Sequence, residues 1–167
     1  MKSVKWKVKV KRDNIAEYIL WLWQIEDYLR AFPGQAEATK ELSELNEMMH
    51  REGIMDGGHL QLAAVALEEM EELHAQLLDE DAMYRAAVMR LTPQLNLLKA
   101  KTDRPTMSDI EACLILLYQI MMLRLQKREI SPETAAVQQQ ATALLQFISR
   151  AYQNPTPTLP SREGEIA

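Results

Sequence analysis

Glycine, aromatic residues and cysteine are all scarce in this chain of 167 residues. It has five glycines, two phenylalanines, three tryptophans, five tyrosines and one cysteine. One cysteine, Cys113, cannot form an intramolecular disulfide, and no Cys/His cluster is available to hold zinc. No glycine-rich phosphate loop occurs. No apolar run approaches the roughly 20 residues that cross a bilayer; the most tempting span, 15–25, is interrupted by Glu17 and closed by Glu26 and Asp27. No apolar signal-peptide core follows the basic start. These gaps leave a soluble, cytoplasmic protein as the expectation, with no membrane partner and with Cys113 a small buried hydrophobe in a reducing compartment.

Leucine, alanine, glutamate, glutamine and methionine dominate instead, a composition that favours helix over sheet. Between Ala112 and Leu123 only Tyr118 and Gln119 carry a polar side-chain atom. A helix apolar nearly all round must be covered by others. The expected fold is therefore all-α: a single-domain bundle of about six helices around a central apolar helix, 109–127. A chain of this size buries roughly 68–70% of its unfolded surface, enough for a core without staples. Residues 13–152 make the helical domain, 1–12 a basic arm that is extended or β-like, and 153–167 a flexible, disordered tail. The arm holds Lys2, Lys5, Lys7, Lys9, Lys11 and Arg12 and no acid, a charge of +6 against −5 for the whole chain. The remaining −11 opposes nucleic-acid binding, which would at most be salt-sensitive and sequence-blind.

In chain order, Val4, Trp6, Val8 and Val10 alternate with lysines, a strand-like period of two. Asn14 with Glu17 reads as a capping box opening the first helix, which Pro33-Gly34 closes. Its inward arc holds Ile15, Ile19, Leu22, Ile25 and Leu29. A second helix over 35–52 has Leu42, Leu45, Met48 and Met49 inward and Gly53 as its stop. After Asp56-Gly57-Gly58 a third helix starts near His59. A fourth, 81–101, carries Pro93, which predicts a kink or break. Ser108 with Glu111 caps the fifth, and Ser131-Pro132 opens the sixth, ending near Tyr152.

Three ionisable residues fall on apolar arcs: Glu26 on the first helix, His74 on the third and Arg124 on the fifth. An isolated buried charge costs several kcal/mol, so such groups pair or coordinate something. Arg124 is expected to meet Glu26, with Asp27 in reserve and Glu71 at the border of the cluster. The bland outcome is an inter-helix ion pair that fixes register; the functional one is a ligand pocket. A dinuclear carboxylate site is a further possibility, because such bundles use Glu-x-x-His pairs, here Glu47/His50 and Glu71/His74. His50 lies off the apolar face, so no metal or other cofactor is expected. The Glu-x-x-Glu of helical nucleotide pyrophosphatases occurs at Glu68/Glu71, but its partner Glu-x-x-Asp does not occur.

Asn14-Ile-Ala-Glu-Tyr, Trp23-Gln-Ile-Glu-Asp, Gly58-His-Leu-Gln, Leu73-His74, Glu111-Ala-Cys and Leu123-Arg-Leu-Gln-Lys-Arg-Glu-Ile-Ser together resemble a family of bacterial helical proteins catalogued only as a domain of unknown function. The resemblance spans roughly residues 10–152. It implies a helical domain and supplies no reaction and no assigned site. The functional expectation is a non-catalytic interaction or scaffold module, self-associating as a homodimer or binding another protein. The alternative is a small-ligand-binding or metal-dependent enzyme built on Glu26, His74 and Arg124.

Overall fold

The computed structural model describes residues 10–154. The alternating segment 4–9 and most of the Pro/Thr tail, 155–167, lie outside that range. Of the expected extended arm, residues 10–12 are described, and with Asp13 they form a helical turn instead, closed by Asn14 N–H donating to the Val10 carbonyl (3.0 Å).

Six helices follow: α1 (Ile15–Ala31), α2 (Lys40–Glu52), α3 (Gln61–Glu80), α4 (Ala82–Lys101), α5 (Asp109–Leu125) and α6 (Pro132–Gln153), with a 3₁₀ turn at Pro33–Gln35. No strand occurs among the described residues. Their starts are set locally. Asn14, Thr39, Asp81, Ser108 and Ser131 each accept a backbone N–H of the first turn of α1, α2, α4, α5 and α6, a contact worth about 1 kcal/mol each. Gly53 ends α2 with φ 69°, and Ile54 N–H reaches back to the Met49 carbonyl (3.1 Å). That left-handed turn is open to glycine at no steric cost.

Two expected boundaries move. α2 begins at Lys40 rather than Gln35, because Thr39 is the capping side chain and residues 33–35 are used in the 3₁₀ turn. α4 runs through Pro93 without a break. Pro93 and Met89 are both exposed, so the turn that loses a hydrogen bond lies on the solvent side of the helix.

Helices α1, α3, α5 and α6 each pack against several others, and α4 joins α3, α5 and α6; α2 lies outside, against α1. One contiguous core results, holding Ile15, Ile19, Leu22 and Leu29 of α1, Leu45 and Met49 of α2, and Leu91 and Leu95 of α4, all at zero exposure. The apolar α5 is central as expected over Ile110–Leu114 and at Ile120. Its C-terminal turns are not enclosed: Met121, Met122 and Leu123 are partly buried, and Arg124 and Leu125 are exposed.

Replacing Pro93 with Ala restores a helix hydrogen bond at an exposed site and should raise the unfolding free energy by about 1–3 kcal/mol in urea denaturation. A neutral or negative change would mean the ring is needed for packing.

Candidate functional site

The three inward-facing ionisable residues do not meet. Glu26 is fully buried, but its partners come from the start of α3. One carboxylate oxygen lies 2.7 Å from His59 Nδ1 and the other accepts Leu60 N–H at 2.8 Å. Leu60 occupies the N-cap position of α3 and has no side chain able to cap it. Glu26 supplies the missing acceptor from α1, and Glu52, at the end of α2, accepts the next amide, Gln61 N–H (2.8 Å). Two carboxylates at a helix N-terminus also meet the positive end of its dipole.

The loop before α3 is clamped by the same face of α1. Arg30 donates to the carbonyls of Ile54 (2.9 Å) and Gly58 (2.5 Å) and pairs with Asp27 (3.3 Å). Gly58 has φ 94°, a conformation that admits glycine readily. The His59 ring stacks on Trp23 at 4.8 Å, and Tyr118 of α5 meets Trp23 edge-on. The Tyr118 hydroxyl donates to Asp27 (2.5 Å); burial first, then this bond to a carboxylate, holds the phenol well above its usual pKa.

His74 belongs to a separate centre between α3, α4 and α5. Its Nδ1 lies 2.6 Å from the hydroxyl of fully buried Tyr84, and its Nε2 4.0 Å from an Asp109 carboxylate oxygen. Burial pushes the Tyr84 phenol up and the imidazole down. Both are neutral at ordinary pH, and the tautomer with its proton on Nε2 turns that proton towards Asp109 and lets Nδ1 accept from the hydroxyl. Asp109 also pairs with Lys99 (2.7 Å), and Glu71 accepts from Ser108 (2.6 Å). Cys113 is buried, its thiol pushed up to about 12 by desolvation and then by Asp109, so it is held as an inert thiol.

The expected Glu26–Arg124 pair is thus corrected. Arg124 sits in the last turn of α5, and its long side chain leaves the apolar arc for solvent, donating to Gln138 of α6 (2.7 Å). Asp27, the reserve acid, is taken by Tyr118 and Arg30. Glu47 and His50 are exposed, and no group of three His, Cys, Asp or Glu among the described residues is placed to hold a metal ion. Sequence reasoning missed His59, Arg30 and Tyr118. A usable signal existed for the first: a helix start at Leu60 without a capping side chain needs an acceptor from elsewhere.

Two open surfaces stand out among the described residues. A groove of about 310 Å³ lies between α1, α5 and α6, floored by Ala16, Leu20, Leu117, Met121 and Leu145. On α4, Met83, Ala86, Met89, Pro93, Leu97 and Ala100 form an exposed apolar face, opposite the buried face of Tyr84, Val88, Leu91, Leu95 and Leu98.

The chain matches the domain of unknown function DUF4924 over residues 6–42 and 33–157. It belongs to that family. No curated protein and no solved structure matches it. Two of the segments that carry the resemblance, Trp23-Gln-Ile-Glu-Asp and Gly58-His-Leu-Gln, are the ones joined by the Glu26–His59 contact. No helix among the described residues is long and apolar enough to cross a membrane.

Glu26→Ala strands the buried Leu60 N–H and should cost about 2–4 kcal/mol of stability, whereas His59→Ala, removing a half-exposed stacked ring, should cost about 0.5–1.5 kcal/mol. A loss below about 1 kcal/mol for Glu26→Ala in urea unfolding would contradict the capping role. For His74, the folded pKa lies below the ordinary 6.5, so the unfolded chain binds its proton first as pH falls. The His74 contribution is fully present above about pH 6.5 and is lost as pH drops towards the folded pKa. Thermal midpoints at about pH 7.5 and 5.5 should differ less for His74→Gln than for the natural chain.

Proposed function

We propose that the protein is a non-catalytic interaction module that associates with a second copy of itself through the exposed face of α4. What carries the reading is the pattern along that helix. Positions 83, 86, 90, 93, 97 and 100 alternate spacings of three and four, the period of a helix-packing seam, and all are solvent-exposed. Exposed apolar residues scattered singly need no explanation, but one seam with apolar side chains at five of its six positions, Arg90 being the exception, does.

The stripe is also self-complementary. An antiparallel twofold centred between Leu91 and Thr92 sets Met83 opposite Ala100, Ala86 opposite Leu97, and Arg90 opposite Pro93. Each pair joins a large side chain to a small one, the condition for interdigitated packing, and an isologous contact closes on itself. The cost is electrostatic, since α4 carries Arg85, Arg90, Lys99 and Lys101 and no acid. The two copies of Arg90 would flank the axis, their guanidinium groups turned outward along the seam.

A non-catalytic role is supported by the state of the interior polar groups. Both Glu26 oxygens are engaged, Tyr84 and Cys113 are held protonated by burial, and the groove between α1, α5 and α6 includes none of them.

Sedimentation equilibrium at micromolar concentration should show a monomer–dimer equilibrium that tightens as salt rises from about 0.05 to 0.5 M and screens the arginines. Leu97→Glu should give monomer at the same concentration with its helical signal unchanged. A natural chain that stays monomeric at about 100 µM, or a Leu97→Glu variant that still dimerises, overturns the reading.

A further inference from the structure

The groove between α1, α5 and α6 lies on helices other than α4 and carries chemistry of its own. Its volume, about 310 Å³, falls at the lower end of the range for small-molecule clefts, which are apolar with a few placed polar groups. Seven polar residues line it, Glu17, Thr142 and Gln146 among them, and the other four come as two bonded pairs. Arg124 with Gln138 forms one (2.7 Å), and Asn14 with Ser149 the other (3.1 Å). Gln138 and Ser149 stand eleven residues apart on α6, so the pairs are separated by about 16 Å along that helix. Between them the lining is mainly Leu117, Met121, Leu145, Leu20 and Ala16.

The two ends differ in charge. Among the described residues no acid lies within ion-pair distance of Arg124, whose hydrogen-bond partner is the neutral Gln138 amide. At the other end the acidic Glu17 stands beside Asn14 in the first turn of α1. A negative head is therefore drawn to Arg124 and repelled from Glu17, which orients an elongated ligand. One Arg124 nitrogen is spent on Gln138, leaving donors that match the planar, bidentate geometry of a carboxylate. A single cation suits a singly charged head better than a phosphate dianion.

We propose that this groove binds a medium-length alkyl chain bearing a carboxylate, its head on Arg124 and its chain over Leu117, Met121 and Leu145 towards Ala16. The site does not depend on the α4 contact and is intact in a monomer.

Calorimetric titration of the full chain with dodecanoate, dodecanol and dodecyltrimethylammonium, all below their micelle concentrations, tests the head and the chain separately. Dodecanoate is expected to bind at least about tenfold tighter than dodecanol, an increment in line with one charge-assisted contact, and the ammonium more weakly than either. Arg124→Gln should bring dodecanoate down to the affinity of dodecanol and leave the alcohol unchanged. Thr142→Trp, which fills the groove from an exposed position, should abolish binding of all three. Equal affinities for acid and alcohol, an Arg124→Gln variant that still prefers the acid, or no dodecanoate binding would each overturn the proposal. So would a change in the sedimentation of the protein on Thr142→Trp, which would make the groove a protein contact; the α4 reading is judged separately by Leu97→Glu.

Discussion

A carboxylate with no access to water has to be satisfied from within, and Glu26 meets that demand with the N-terminus of α3. The bond to Leu60 N–H fixes where α3 begins and how it abuts α1, and the bond to His59 fixes the residue before it. Arg30, one turn further along α1, ties down the Ile54 and Gly58 carbonyls. A single face of α1 therefore determines the path of the chain from α2 into α3. The long loop-crossing connection at residues 53–60 acquires a defined geometry without a regular element of its own. Removing one partner of such a set is costly because the other partner stays buried.

Around that clamp the apolar surfaces are not all used. α4 carries apolar side chains on both faces, and only one face meets the bundle. α5 is apolar nearly all round, yet its end is incompletely covered, with Met121, Met122 and Leu123 partly buried and Leu125 exposed. One leftover is a flat, small-and-large patterned stripe and the other a concave groove with an arginine at its rim. Their shapes point to different occupants: a second helix for the stripe, a narrow chain for the groove. The partly buried cluster of His74, Tyr84, Asp109 and Lys99 is joined by hydrogen bonds and an ion pair, which suit a structural joint between α3, α4 and α5.

The inward placement of Glu26 and His74 was legible in the helical periodicity, because position on an arc depends only on sequence spacing. Their partners were not. Glu26 was expected to find Arg124, but it found an amide and an imidazole from a segment 33 and 34 residues away. Arg124 shared the same arc as Cys113 and Ile120 but stands where the bundle ends, and a wheel carries no information about where neighbouring helices stop. The roles of Tyr118 and Arg30 carried no local signal, because their partners are supplied only when α5 and the 53–60 loop are laid against α1. The exposed stripe on α4 was not read from the sequence, because which face of that helix is buried depends on the helices packed against it.

By itself the sequence determined the all-α class and most helix limits, since Asn14, Asp81, Ser108 and Ser131 act on amides three residues away and Gly53 on its own backbone. Those are local interactions, and chain spacing is enough to specify them. The tertiary structure alone decided that α3 is capped from α1, that Pro93 is tolerated because it faces solvent, and that Arg124 borders an open groove. Each of these depends on which distant segments are pressed together, a choice made by the packing of the whole apolar surface and by no stretch of residues taken separately.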